Sequence, residues 1–520
     1  MGRGTIITDL LIAPGGVRED LGLANIPDGS WSASSNFLVR NGTGRPRPGY
    51  TTVASSLSSA SDIVTGFGYR GSPETAANLI AHTLTKAYNY DGSAFNDITG
   101  TWTTSTAAQP VRMAQFWDGT TLVIGRVNEA NAVDKWTGAG NFQDATGAPA
   151  ARDITVCGNR VILGYIATGG TFSQRVQWSG FKDIDSWTAT DYDEATETPG
   201  DIVAVRALGP LSFGIYKEDA VLVGQLVDAA TIFQFQFIGR TIGPAGPSAL
   251  VATPDSVHYW MGKNGLLYRF DGAKPEVIGG LNKTALQGFA YSRRMEAHGS
   301  LLGGSQPEIW WWYPDAAAST MVSAACLNLT TMAVTPHTFR DSVTASAGWL
   351  SQGSLTYNTL PGTMDGLAAL YATYDAMTSA ALPSSILGVL TSGAVVYAAQ
   401  FGLVLTDRDS SGPIAWSVTP ATKALNGGGR VYMDGVRNYW RKTASTLTVT
   451  VGATISDALD DAGTETTSTF DMSAATTDGH LTVFSNKTGR YVTVRVAGAS
   501  QVEEMQFRAC DVLAWPRGPV

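Results

Sequence analysis

Charge is scarce in this chain of 520 residues: Asp, Glu, Lys and Arg together make up 15% of it. Long surface helices lean on those residue types, so their scarcity argues against a helical protein. Cysteine is nearly absent. The three present, Cys157, Cys326 and Cys510, lie far apart with no Cys-x-x-Cys pair, which excludes a disulfide framework and a zinc knuckle and predicts buried structural thiols. The five histidines, His82, His258, His298, His337 and His480, form no i, i+4 pair and no HExxH motif, so each is expected to be a structural or surface residue and not a ligand. There is no GxSxG elbow, Walker loop or strand-linked GxGxxG, and "RTIGPAGPSAL" is glycine-rich but has no lysine. The spacing around the acidic residues fails the EF-hand pattern. No catalytic constellation, metal set or cofactor motif is therefore predicted.

Basic excess is missing too. A net charge of −9 and a pI near 5.1 exclude a general phosphate binder, local clusters apart. A membrane-spanning helix needs about 20 mostly apolar residues. The apolar stretch "ALPSSILGVLTSGAVVYAAQFGLVL" (381–405) is broken by Pro383, several glycines and Gln400, and reads better as two strands around "TSG". The opening "MGRGTIITDLLIAPGG" predicts no secretory signal.

What the chain has in quantity is glycine, 58 residues of it, set among short apolar runs. From about residue 60 to 340 a unit recurs. "YNYDG", "DKWTG", "VQWSG", "AVLVG" and "YRFDG" end in Gly92, Gly138, Gly180, Gly224 and Gly272, mostly with an aromatic two residues earlier. Upstream of each stands an apolar run ("NLIAHTL", "TTLVIGRV", "NRVILGYI", "LSFGIYK", "SVHYWMG"), and upstream again another ("IVTGFGY", "VRMAQFW", "ARDITVC", "IVAVRAL", "SALVATP"). Short strands repeating every forty-odd residues are the signature of propeller blades, whose apolar faces are covered only by stacking around an axis. The glycines are expected in hairpin turns with positive φ, and the aromatics in the wedges between blades. Two irregular units follow: "PEIWWWYP" onward to Phe339, and 345–405 with a short helix near 367–377. The reading is all-β: a β-propeller of six or seven blades over 56–410, preceded by an N-terminal arm (1–55) and followed by an antiparallel β-sandwich (411–520), where period-two alternation takes over.

Two charged groups stand out. Arg40, Arg45 and Arg47 cluster in "NFLVRNGTGRPRPGY" and are expected to pair with carboxylates of a neighbouring subunit or domain. Asp183, Asp185, Asp191, Asp193, Glu194, Glu197 and Asp201 make "KDIDSWTATDYDEATETPGD" the most acidic stretch, a solvated loop, a weak cation site or an acidic lining facing DNA.

The order of "SNFLVRNGTGRPRPGY", "QRVQWSGFKDIDSWTA", "GDIVAVRALGPLSFGIYKEDAVLVG", "FQFIGRTIGPAGPSALVATPDSVHYWMGKNGLLYRFDG" and a closing sandwich resembles tail-nozzle proteins of short-tailed bacteriophages, including the tail accessory factors called DNA-stabilisation proteins. The resemblance implies a non-enzymatic virion subunit without cofactor, forming a homohexameric ring below the portal and adaptor rings. Viral DNA would be retained in, and ejected through, the ring's lumen without sequence specificity. The adaptor protein, tail fibres and, at the distal tip, the host outer membrane are the implied partners. Two further readings compete. One is a carbohydrate-binding or carbohydrate-active propeller at the host surface, with Trp31, Trp102 and Trp187 stacking on sugars; the other is a scaffold propeller for protein partners. A glycosidase would need two carboxylates at a set separation, and the sequence singles out no pair.

Overall fold

Residues 5–7, 15–18, 21, 25–27, 29–40, 43–52, 63–70, 77–90, 94–103, 109–227, 231–279, 288–303, 306–316, 318–349, 385–392, 395–401, 408–409, 412–420, 423–424, 431–442, 448–456, 466–471, 478–500 and 505–516 are described in the computed structural model. Among them, seven four-stranded antiparallel sheets are distinct from two larger ones. Blades 1 to 6 are consecutive in the chain, at 63–97, 112–144, 151–194, 202–240, 250–278 and 298–338. Blade 7 takes three strands from Ser342–Trp349, Ser385–Ser392 and Val395–Phe401. Its fourth is Tyr50–Thr52, from near the other end of the chain. The first strand of every blade lies against the first strand of the next, and Ser342–Trp349 returns to Ile63–Arg70. The ring is closed, and these first strands are its inner wall.

The recurring apolar runs are the first and second strands of blades 1 to 5, as their spacing predicts. Alternation then sends side chains to both faces of each sheet, where a separate hydrophobic cluster fills each gap between neighbours. Ile80 and Ala87 of blade 1 meet Met113 and Trp136 of blade 2. Trp178 of blade 3 meets Phe213 and Phe233 of blade 4. Phe270 of blade 5 meets Tyr216 and Val221 of blade 4. The tryptophan run of blade 6 serves both of its neighbours: Trp311 and Tyr313 face blade 5, while Trp310 and Trp312 face blade 7 and the N-terminal strands. Fully burying such a side chain is worth roughly 1.5–3 kcal/mol, so these wedges dominate the cohesion of the ring.

The turn-glycine expectation holds at Gly138 and Gly272, with φ of +93° and +94° in the hairpins between third and fourth strands. It fails at Gly224, which lies inside the strand Ala220–Leu226 with the Phe213 ring against it. Gly180 also lacks positive φ; a Cβ there would meet Ser186 at 2.7 Å. Gly92 and the expected helix near 367–377 lie outside the described residues. Blade 6 begins with His298–Leu302, a strand that lies ahead of the run predicted for that unit.

The two larger sheets form the sandwich, and the N-terminal residues do not stand apart from it. One sheet orders Phe37–Arg40, Thr43–Pro46, Met505–Pro516, Val431–Lys442 and Asp478–Gly489, with Thr5–Ile7 also on Met505–Pro516. The other orders Trp31–Ser35, Gly412–Pro420, Tyr491–Ser500, Thr448–Ser456 and Thr466–Asp471. Phe37 of the first sheet lies 5.4 Å from both Trp31 and Trp416 of the second. The arm expected over 1–55 is thus spent on both sandwich sheets and on the closing strand of blade 7.

Candidate functional site

The arm arginines turn inward. Arg40 grips the buried carboxylate of Glu308 in blade 6 with two hydrogen bonds, at 2.5 and 2.6 Å, and Trp310 Nε1 donates to the same carboxylate at 3.0 Å. Arg47 is fully buried, its guanidinium 4.0 Å over the Phe339 ring, and donates to Thr338 O at 2.9 Å and Asn36 Oδ1 at 3.0 Å. Arg45 sits half-buried in Thr43–Pro46, opposite Leu38. Arg40 thus finds its carboxylate in another domain of its own chain, while these hydrogen bonds of Arg47 go to backbone and amide oxygens. Asn36 is the node of this joint. Its side chain accepts from Arg47 and from Thr338 N and donates to Ala415 O at 2.8 Å, tying propeller to sandwich. It does so at φ +52°, a conformation Asn tolerates better than most residues.

Residues 183–194 of the acidic stretch lie at the outer edge of blade 3, while Glu197 and Asp201 sit on the connection that leads in to the first strand of blade 4. Asp185 pairs with Lys135 of blade 2 and accepts from Thr146 N. Glu194, on the outermost strand, pairs with Arg175, whose guanidinium lies 3.8 Å from the Phe172 and Tyr192 rings. Glu197 and Asp201 lean electrostatically on Lys217, a fully buried amine held by Ala195 O, Thr198 O and Gln174 Oε1; burial lowers its pKa and those two carboxylates oppose the shift. Asp183 and Asp193 stay exposed, and Asp191 is half-buried.

The face carrying that loop also carries exposed apolar groups. Hairpins joining first to second and third to fourth strands open on one face of a propeller. On that face stand Trp117, Phe181, Tyr192, Leu211 and Val227 of blades 2 to 4, five of the nine large apolar side chains exposed among the described residues. Their loops touch. Lys182 N donates to Asn159 O, Gly158 N to Pro210 O, and Leu226 N to Leu211 O. No periodicity marks these residues, because each sits in a turn; only closure of the ring gathers them. Of the tryptophans considered for sugar stacking, Trp31 is fully buried, Trp102 lies under Arg126 at 4.2 Å, and Trp187, in the same loop as Phe181, packs down on the wedge between blades 2 and 3.

At the axis, inner-strand edges expose N–H groups that no further strand can pair. Blade 3 caps those of blade 4: Asp153 Oδ2 accepts from Val205 N at 2.9 Å, and Thr155 Oγ1 from Ala207 N at 3.1 Å. Asp153 also accepts from Arg112 Nε of blade 2 at 3.0 Å and lies 3.6 Å from Arg206 Nη2 of blade 4. Arg112 then reaches across to Ser248 Oγ, ahead of blade 5, at 2.8 Å. Among the described residues, no three His, Cys, Asp or Glu side chains gather to hold a metal ion, and no helix is long and apolar enough to cross a membrane.

No protein-family profile and no curated protein matches this chain. Among solved structures, it is similar to a fungal alcohol oxidase of the AA5 family in complex with copper, at 8% identity and a TM-score of 0.43, over 86% of this chain and 92% of that one. It is also similar to BBS1N in complex with ARL6DN (8%, TM-score 0.41, 69% and 98%) and to YCF48 bound to D1 peptide (10%, TM-score 0.38, 68% and 97%). Likeness at this level says nothing of what the chain binds or does. The propeller rests on the strand pairing itself.

Proposed function

We propose that this chain is a structural subunit of a short-tailed phage tail. In this reading it forms a nozzle ring of identical copies, homohexameric by the resemblance, that holds and then conducts the packaged DNA without chemistry of its own. The observation that carries the reading is the group of Trp117, Phe181, Tyr192, Leu211 and Val227 exposed together on one face of the disc. Clustered exposed apolar groups mark surfaces that other proteins cover, and a ring of copies sets such a patch against a different patch on the next subunit. Two further features support it. The joint at Asn36, Arg40 and Arg47 ties propeller and sandwich together, as a load-carrying part requires. Side chains of blades 2 to 5 meet across the propeller axis, so a DNA path would lie between copies and not through one.

The adaptor, the tail fibres, the host outer membrane and a place in the virion tail belong to the same proposal. Asp183, Asp185 and Asp191, in the loop between the third and fourth strands of blade 3, share the apolar face and would border the DNA path only where that face turns towards the ring's centre. Electron-microscope images of the purified chain test the reading, with closed rings around an axial hole as the expected result. Trp117→Asp combined with Phe181→Asp is expected to leave folded single subunits. Particles that stay single at all concentrations, with or without tail components, would refute it.

A further inference from the structure

In a chain of net charge −9, the inner wall of the propeller runs the other way. Its seven strands, IVTGFGYR, RMAQFW, ARDITVC, IVAVRA, LVA, HGSLL and SVTASAGW, hold four arginines and one carboxylate, Asp153. Arg152 is matched by Glu129 at 2.6 Å. Asp153 is left to serve both Arg112 and Arg206, which are 13% and 15% exposed. A guanidinium has five N–H donors. Arg206 uses one, to Pro247 O at 3.3 Å; its ion pair with Asp153 is too long for a good hydrogen bond, and its buried Nε has no partner. Arg112 uses two donors, to Asp153 and Ser248. The two cations also act on each other: burial lowers the Arg206 pKa, Asp153 opposes this, and Arg112 lowers it further. Tyr216 beside them supplies no charge, since burial pushes its phenol well up and its hydroxyl bonds His258.

We infer that the propeller axis holds a small oxyanion, a phosphate or carboxylate group, between Arg112 and Arg206 beside Ser248. Water would satisfy the idle donors but not the surplus charge. A planar guanidinium pair presents the forked donor geometry that oxyanions take. With the anion in place, blades 2, 3, 4 and 5 share one charge-balanced centre. The inference concerns the isolated chain and does not depend on ring assembly.

Calorimetric titration of the full chain with inorganic phosphate in chloride-free buffer, with parallel sulfate and acetate arms, tests it. One saturable site per chain is expected, with affinity at least about tenfold weaker in Arg206→Gln and in Arg112→Gln, the scale of one lost charge-assisted bond. Arg175→Gln, at the outer rim, is expected to bind like the parent. Should the axial variants fail to fold, crystals of the parent soaked in selenate decide, by an anomalous peak between Arg112 and Arg206. A response that never saturates, unchanged affinity in Arg206→Gln, or selenate only elsewhere overturns the inference.

Discussion

An ideal Cβ at Gly224 would lie 2.4 Å from the Phe213 ring, whereas one at Gly138 would meet nothing within 4 Å but would sit at φ +93°. Both glycines end the same repeated phrase, yet one is required by a neighbour's volume and the other by its own backbone. Gly224→Ala must push an aromatic ring out of a filled wedge, which costs roughly 1–3 kcal/mol. Gly138→Ala costs only the left-handed conformation, about 1 kcal/mol. Urea denaturation midpoints of the two variants should fall in that order, and a reversed order would contradict the packing of blade 4. Spacing along the chain makes the pair look alike, because the ring that separates them comes from the adjacent strand. Arg40 has the same lesson: its need for a carboxylate was legible, but its partner Glu308 lies 268 residues away.

At the scale of elements, blades are joined by buried polar ties as well as by apolar wedges. Arg126 of blade 2, fully buried, donates to His82 Nε2 of blade 1 at 3.2 Å and to Asp134 at 2.6 Å. Tyr216 of blade 4 meets His258 Nδ1 of blade 5 at 2.5 Å, while His258 Nε2 donates to Ala207 O. Each ring uses one nitrogen as donor and one as acceptor, which only the neutral imidazole can do. Burial holds His258 and His298 down to about 4 and, with help from Arg126, His82 to about 3, against 6.5 for the ordinary group. The unfolded chain therefore takes up protons that the folded one refuses. The stability these residues contribute is complete above pH 6.5 and drains away as pH falls from there towards 4. Between pH 7 and pH 5 each should cost on the order of 1–2 kcal/mol, read as a falling denaturant midpoint, and His258→Gln should flatten the slope. A midpoint that holds steady over that range would place charged histidines in these gaps. The expectation of structural histidines needed only the absence of a ligand motif; their place between blades could not be read locally.

For the whole molecule, the strand repeat was plain because each blade is local in sequence, and the two terminal regions were not because their pairing is remote. Tyr50–Thr52 completes blade 7, and Trp31–Ser35, Phe37–Arg40 and Thr43–Pro46 complete the sandwich. A chain starting at residue 53 should leave a bare edge on blade 7 and come out of refolding as aggregates by light scattering. A synthetic peptide of residues 29–52 added during refolding should restore a monodisperse species, and soluble, folded material without it would show the closing strand to be dispensable. The same closure bears on manufacture in the cell. While the chain is being made, the segment that finishes the disc leaves the ribosome early and waits for some 350 residues before the sheet it joins exists, and sandwich pairing waits longer, for Met505–Pro516. Early blades can stack as they emerge, but the ring stays an open arc until Val395–Phe401 has been made, so a chain terminated before that strand would be released as an exposed-edge arc prone to sticking to its siblings.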